Sequence, residues 1–482
     1  MTQDEYNTRA PHEGMSPGRY VATRLSSLKP PMHNVPNPIK LLRMLNSQQW
    51  AFFFIAFAAW TWDAYDFFSV SLTVTDLAET FGKSKKDITW GITLVLMFRS
   101  VGSITFGIAS DRYGRKWPFV INNLLFIVLE LFLACRALFG VAMGGLYGNV
   151  AATALEDCPE EARGLISGML QQGYAFGYLL CTAFARGLVD TTSHGWRPLF
   201  WFGACPPALF IIWRLMLPET QAYQERQHLR QEAGADGKGK VFIKEGKVAL
   251  KHHWLLLVYL VLLMAGFNFM SHGSQDLYPT MLENQLNFSK NKVTVTQVVA
   301  NLGAMTGGSV VGFLSQSVGR RISIIVTNFP NHSNGVLMPC SVQGAWGVIP
   351  IHLMELSPGA FRTFVVGTSY QLGNLVSSAS STIEATIGER FPLPDNAEGE
   401  SRYDYGKVIC IFMACVYVYV IVLTFVGPEN LRGKFDVAHD ADTREVMGTR
   451  AMDHADQYRR SGDEENFRKD STEKPEVAHV RD

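Results

Sequence analysis

Two stretches decide how this chain is read: "GIASDRYGRK" at residues 107–116 and "GFLSQSVGRR" at 312–321. Gly107, Ser110, Gly114 and Arg115 fall on Gly312, Ser315, Gly319 and Arg320 at an offset of 205. A second ordered set, Glu156, Pro159, Arg163, Gly168 and Gln172, falls on Glu355, Pro358, Arg362, Gly367 and Gln371 at an offset of 199. Two sets in one order at nearly one offset mark an internal duplication, and many membrane folds are built from two such halves.

The sequence around these stretches is that of a membrane protein. Of 482 residues, 47% are hydrophobic and only 18% charged, although both ends of the chain are polar. Apolar runs reach the roughly 20 residues needed to cross a bilayer near 50–74, 88–108, 117–135, 136–155, 164–185, 197–217, 253–277, 293–314, 335–354, 363–384 and 407–427. That makes eleven spans and an all-α architecture. Arg24, Lys29, Lys40 and Arg43 precede the first span, and Arg112, Arg115 and Lys116 follow the second. Arg163 follows the fourth, and 218–252 carries Arg226, Arg230, Lys238, Lys240, Lys244 and Lys247. The positive-inside rule then puts both termini and the long 219–252 linker in the cytoplasm. Segment 281–292 falls outside, with the sequon Asn287-Phe288-Ser289. The net charge of zero gives no reason to expect nucleic-acid binding. The seven cysteines show no paired spacing, and no cleaved signal segment is expected. Metal-ligand spacings, phosphate loops and nucleophile–base sets are missing from the sequence, and "GVAMGG" at 140–145 is helix-packing glycine. Neither an enzyme nor a cofactor is expected.

One of the most apolar runs, "WLLLVYLVLLMAGF" at 254–267, ends in "NFMSHGSQDLYPT" at 268–280. At 100° per residue, Asn268, Ser271, His272, Gln275 and Asp276 share an arc of about 140°, with Met270, Ser274 and Leu277 opposite. A membrane helix turns such a stripe toward the bundle interior or a water-filled path. A helix that has merely reached the headgroups would also be polar here, though it would have no need of one-sidedness. Arg99 stands deep in the second span, where a guanidinium faces a cavity and binds a carboxylate with its planar fork, or pairs internally with Asp63 or Asp66. Gln371 and Asn374, three apart in "SYQLGN", share a face and offer amide donors without charge. For proton binding the candidates are Asp276, His272, Asp63 and Asp66.

The pattern G-x-x-x-D-R-x-G-R-K, carried by Gly107, Asp111, Arg112, Gly114, Arg115 and Lys116, resembles the signature of the major facilitator superfamily. The resemblance implies two six-helix bundles related by a pseudo-twofold axis. N-x-x-S-H-x-S-Q-D-x-x-x-T, with Asn268, Ser271, His272, Ser274, Gln275, Asp276 and Thr280 in place, resembles the motif of the fungal carboxylate–proton symporters. "FRSVG" (98–102), "ALEDCPEEARG" (154–164) and "VVGTSYQLGNL" (365–375) extend that likeness over nearly the whole membrane region. It implies proton-coupled movement of a small carboxylate such as lactate, pyruvate or acetate across the plasma membrane. It also implies a substrate path through Arg99, Gln371 and Asn374, and likens Arg136 to an arginine carried by proton-coupled facilitators. Another solute, sialic acid or a sugar, is the alternative within the superfamily. A membrane sensor that binds without transporting is the alternative outside it.

One region departs from the family. Two crossings need about 40 residues, yet only 33 residues, 322–354, lie between Arg321 and Glu355, and "ISIIVT" gives way at once to "NFPNHSN". The ninth helix therefore reads as truncated, the mark of a shortened or mis-spliced twelve-helix ancestor. Gln316 stands where the first half has Asp111, so a charge cluster there is expected to be weaker. The expected divisions are a polar, disordered tail 1–48, a bundle 49–218, the linker 219–252, a bundle 253–427 and a second disordered tail 428–482.

Overall fold

The computed structural model describes residues 17–28, 35–82, 85–130, 136–189, 191–232, 238–329, 337–394, 402–433 and 435. Among them the chain is helical except for one two-residue strand pair, Pro392–Leu393 with Arg402–Tyr403. The principal helices are α1 (Ser47–Leu72), α2 (Lys85–Tyr113), α3 (Lys116–Glu130), α4 (Arg136–Gly144 and Leu146–Leu155), α5 (Arg163–Gln171 and Gly173–Phe184) and α6 (Arg197–Met216). The second half follows with α7 (Lys238–Gln275), α8 (Lys290–Val318), α9 (Arg320–Asn328), α10 (Leu337–Leu356), α11 (Arg362–Ser377 and Ser380–Gly388) and α12 (Tyr405–Val426). Six helices of the described residues combine the length and hydropathy needed to cross a membrane: α2, α4, α6, α7, α8 and α12. The others are shorter, interrupted or more polar.

Local chemistry starts and stops these elements. Asn46 opens α1 with a capping box: its side chain accepts from the Gln49 N–H at 2.8 Å, and the Gln49 side chain accepts from the Asn46 N–H at 3.0 Å. Gly114 and Gly319 end α2 and α8 at φ +95° and +108°, conformations that L side chains rarely adopt. Both duplicated motifs thus make the same turn. Where the halves meet, glycine lets backbones touch: a Cβ on Gly168 would lie 2.7 Å from the Gly308 carbonyl oxygen, and one on Gly312 would lie 2.5 Å from the Gly168 Cα. The duplicate contact pairs α4 with α11, where a Cβ on Gly148 would lie 3.0 Å from the Gly367 nitrogen. Close α5–α8 and α4–α11 crossings are the packing that small residues allow in a bilayer.

Two regions differ from the sequence reading. The seventh helix starts at Lys238, and Gln221–Glu232 is also helical, so much of the expected linker is ordered. Hydropathy marks only the part of a helix that lipid covers. It is blind to the polar extension, whose Phe242 packs on Phe361 with ring centroids 4.9 Å apart. Parts of both expected tails are ordered as well: helices Pro17–Ala22, Arg24–Ser27 and Pro38–Met44, and the stretch Gly427–Gly433 with Phe435. The Arg24 guanidinium donates to the Gly427 carbonyl at 3.1 Å, holding the two ends together. The region read as a truncated ninth helix holds α9, with nine residues. At 1.5 Å per residue it is about 13 Å long, less than half a hydrocarbon core. Residues 330–336 lie outside the described residues.

Candidate functional site

The two motif stretches lie at one end of the molecule, called here the motif end. Asp111, near the end of α2, accepts from the backbone N–H groups of Thr363 and Phe364 at 3.2 and 2.8 Å. A carboxylate of the first half thereby caps α11 of the second, where the helix N-terminus favours negative charge. Arg115 forks onto Glu156 at 3.0 and 2.6 Å and lies 3.4 Å from Asp111. The duplicate, Arg320, forks onto Glu355 at 3.0 Å twice. Burial pushes the Glu156 carboxyl up, but Arg115 and Arg362 more than offset this and hold it below its ordinary value. Gln316, in place of an acid, accepts from Arg320 at 2.6 Å and donates to the Glu160 carbonyl at 2.8 Å. The cross-half contact survives there without the charge. Lys116 donates to the Leu215 and Leu217 carbonyls at 2.8 and 3.0 Å, satisfying groups freed at the end of α6. Arg112 stays outside the cluster, exposed over the Tyr113 ring.

Toward the other end, α7 and α11 share a hydrogen-bond chain. His272 Nδ1 faces the Asp276 carboxylate at 3.2 Å, and Nε2 faces Asn374 Oδ1 at 3.3 Å. Asn374 Nδ2 reaches Gln371 Oε1 at 3.5 Å. With the amide so oriented, both ring nitrogens meet oxygen acceptors, which only an imidazolium satisfies with two donated bonds. Asn268 donates to the Met264 and Tyr370 carbonyls at 2.9 and 3.4 Å, and Ser271 accepts from Trp346 Nε1 at 2.7 Å. Gln275 lines a cavity of about 110 Å³ between α1, α5, α7, α8 and α10, beside Tyr174, Tyr178 and Asn301. Ser274, which the helical wheel sets opposite the stripe, lines this cavity too. The side chains of Thr280 and Arg136 lie outside the described residues.

Arg99 is in the other half, 3.6 Å from Asp63, and both are 1% exposed. Its guanidinium also reaches the Met143 sulfur at 3.1 Å and the Phe67 face at 5.0 Å, while its Nε has no hydrogen-bond partner among the described residues. The next residue, Ser100, donates to the Gln371 carbonyl at 3.2 Å and ties α2 to α11. Asp66 is equally buried but faces α6, where a Cβ on Gly203 would lie 3.0 Å from its carboxylate. The structure therefore brings Asp276, His272, Asn374 and Gln371 into one chain. Asp63 and Arg99 form a separate pair, and Asp66 packs toward Gly203 of α6.

Sequence reasoning missed two features. One is an aromatic floor across the halves, with Tyr147 of α4 stacked on Tyr370 of α11 at 4.0 Å and Trp60 within 5.0 Å of Tyr147. Aromatic residues abound in membrane helices, and nothing local sets these apart. The other is Glu384, fully buried in the second part of α11. It is the only acidic residue of the span 363–384, a signal that was available.

With the geometry in place, comparison with known proteins assigns the family. The description "Major Facilitator Superfamily" matches residues 49–330. The "Carboxylic acid transporter protein homolog" of Saccharomyces cerevisiae is 39% identical over 457 aligned positions, covering 85% of this chain and 74% of that one. An alignment of 457 positions exceeds the part of this 482-residue chain that it covers, so the yeast protein carries residues within it that have no counterpart here. The "Cis,cis-muconate transport protein" of Acinetobacter baylyi is 25% identical, covering 71% of this chain and 88% of that one. Among solved structures, the proton:xylose symporter XylE bound to 6-bromo-6-deoxy-D-glucose superposes with a TM-score of 0.63 at 17% identity, covering 80% of this chain and 98% of that one. This chain belongs to the major facilitator superfamily, as a multi-pass membrane transporter, not an enzyme, related to the carboxylic acid transporters.

Proposed function

We propose that this protein carries a small carboxylate, such as lactate, pyruvate or acetate, together with a proton across the plasma membrane by alternating access. In this reading the motif end is cytoplasmic, both termini are inside, and the hinge between bundles 49–218 and 253–427 lies in 219–252. The observation that carries the reading is the chain from Gln371 through Asn374 and His272 to Asp276. It offers an anion a cationic ring and amide donors, beside a carboxylate that exchanges a proton. Asn268, Ser271 and Gln275 shape the same wall, with Thr280 assigned on sequence alone. Arg99 is the second cationic partner, released from Asp63 when Asp63 takes up a proton. Asp66 and Arg136 keep their place as proton-path candidates from the sequence. The names of the yeast and Acinetobacter relatives, a carboxylic acid transporter homolog and a muconate transport protein, support an organic anion over a sugar.

A loaded anion alone would leave uncompensated charge in a low-dielectric path, and a bound proton removes that cost. The half-length α9 is the observation that favours a second reading, a membrane sensor that binds but does not turn over. Uptake of radiolabelled lactate, pyruvate, acetate, succinate, sialic acid and xylose, with and without an inward proton gradient, separates these. The proposed function predicts gradient-driven accumulation of one or more of the small carboxylates and of neither sialic acid nor xylose. Binding without accumulation would establish the sensor.

A further inference from the structure

Glu384 is a buried acid that the proposed transport cycle leaves without a role. Its side chain has no solvent exposure, and neither oxygen has a hydrogen-bond partner among the described residues. It packs against the bare backbone of Gly273, where a Cβ would lie 3.1 Å from Glu384 Oε1. Gly273 immediately follows His272 and lies three residues before Asp276, so the acid sits behind the His272–Asp276 pair.

The charged surroundings are simple. From α7, His272 and Asp276 act on Glu384. From α12, Phe412 fills the space beside Gly273, and Tyr405 lies further along against Gly388. Lys407 is turned away over the Phe391 ring at 4.4 Å. Glu389 and Arg390 follow on the chain beyond the end of α11. A carboxylate in this position would face a second carboxylate, Asp276, with no hydrogen-bond donor in contact among the described residues. Burying such a charge unpaired is costly, so the position suits the neutral acid.

We propose that Glu384 is the positioning residue through which proton concentration on the outer side sets affinity for the carboxylate substrate. As a neutral acid it leaves the His272 imidazolium, already shared with Asp276, able to attract an incoming anion. When Glu384 loses its proton to water, the resulting carboxylate draws on the same imidazolium and repels the anion. Protonation of Glu384 and binding of substrate then favour each other reciprocally. The proposal rests on the carboxylate reading of the site but not on turnover.

The test is equilibrium binding of lactate to the purified full-length protein in detergent, followed by tryptophan fluorescence at a series of pH values. For the native chain Kd should rise with pH, by up to about tenfold per unit above the titration of the linked group. Glu384→Gln, neutral at every pH and of the same shape, should bind at least as tightly as the native chain at low pH and lose most of that rise. A rise as steep in Glu384→Gln as in the native chain would overturn the proposal and leave Glu384 a packing residue. Should Glu384→Gln fail to fold, Glu384→Asp keeps the charge with a shorter arm, and the midpoint of the rise should move. An unmoved midpoint would overturn the proposal equally. A native protein that binds no lactate at any pH would overturn the carboxylate reading itself, and this proposal with it.

Discussion

Arg99 and Asp63 share a buried contact at 3.6 Å that is poorly satisfied, since neither Asp63 oxygen has a hydrogen bond among the described residues. Breaking such a pair from one side strands a charge, at a cost of about 3–5 kcal/mol. Arg99→Ala should therefore lower the amount of folded protein sharply, and adding Asp63→Asn should restore much of it, read as detergent-extracted monodisperse protein. Arg99→Lys keeps the charge but loses the planar fork, so substrate affinity should fall while protein level holds. Unchanged affinity in that variant would make Arg99 an ion-pair partner only. At the other titratable pair, Asp276→Asn should abolish gradient-driven accumulation while sparing exchange, because the amide still accepts from His272 but cannot take up the proton. His272→Ala should weaken binding more than coupling. If Asp276→Asn still concentrates substrate in step with the gradient, the proton is carried elsewhere, first of all by Asp63.

Among the helices, α9 is the one that physical argument finds deficient. A bilayer core tolerates non-helical backbone only where protein or water covers it, and nine residues cannot reach across. Inserting about ten apolar helix-forming residues after Asn328 should raise the fraction of protein that reaches the membrane, measured by surface labelling at matched expression. No gain would show that the short form is already complete. The deficit was legible beforehand because it needs only residue counting between the matched motifs. The polar stripe of α7 was legible for a related reason: a polar side chain in an apolar run has few places to go. Glu384 was overlooked because it closes an apolar run, where a polar residue usually meets the headgroups. Its burial comes from Gly273 of a different helix, and no local pattern encodes that. The α7 extension stayed hidden because its partner, Phe361, is more than a hundred residues away along the chain.

Taken as a whole, the molecule is closed at its motif end and holds its cavity toward the other. The segment after α12 reinforces that closure. Phe435 lies between the guanidinium groups of Arg163, from the first half, and Arg362, from the second, at 3.8 and 4.2 Å. Arg163 also donates to the Gly433 carbonyl at 2.8 Å, and Asn430 donates to the Glu355 carbonyl at 2.8 Å. Each cation–π contact is worth about 1–2 kcal/mol when desolvated, so Phe435→Ala should shift the population toward a form open at the motif end. Spin labels at exposed Arg112 and Lys251 should then report a longer distance, and an unchanged distance would leave Phe435 without a role in closure. Glu156 argues that this closure is not the pH sensor. Its lowered carboxyl keeps the stabilisation fully present above the ordinary carboxylate value, to be lost only as pH falls through the lowered one. The pH dependence of affinity is assigned to Glu384 instead, and proton movement to Asp276 and Asp63. The most direct measurement of that claim uses the full-length protein in liposomes with a pH-reporting dye trapped inside. Lactate added outside, with no imposed gradient, should enter and acidify the lumen in proportion, and Asp276→Asn should abolish the acidification. Lactate entry without acidification, or no entry in liposomes shown to hold folded protein, would contradict the account.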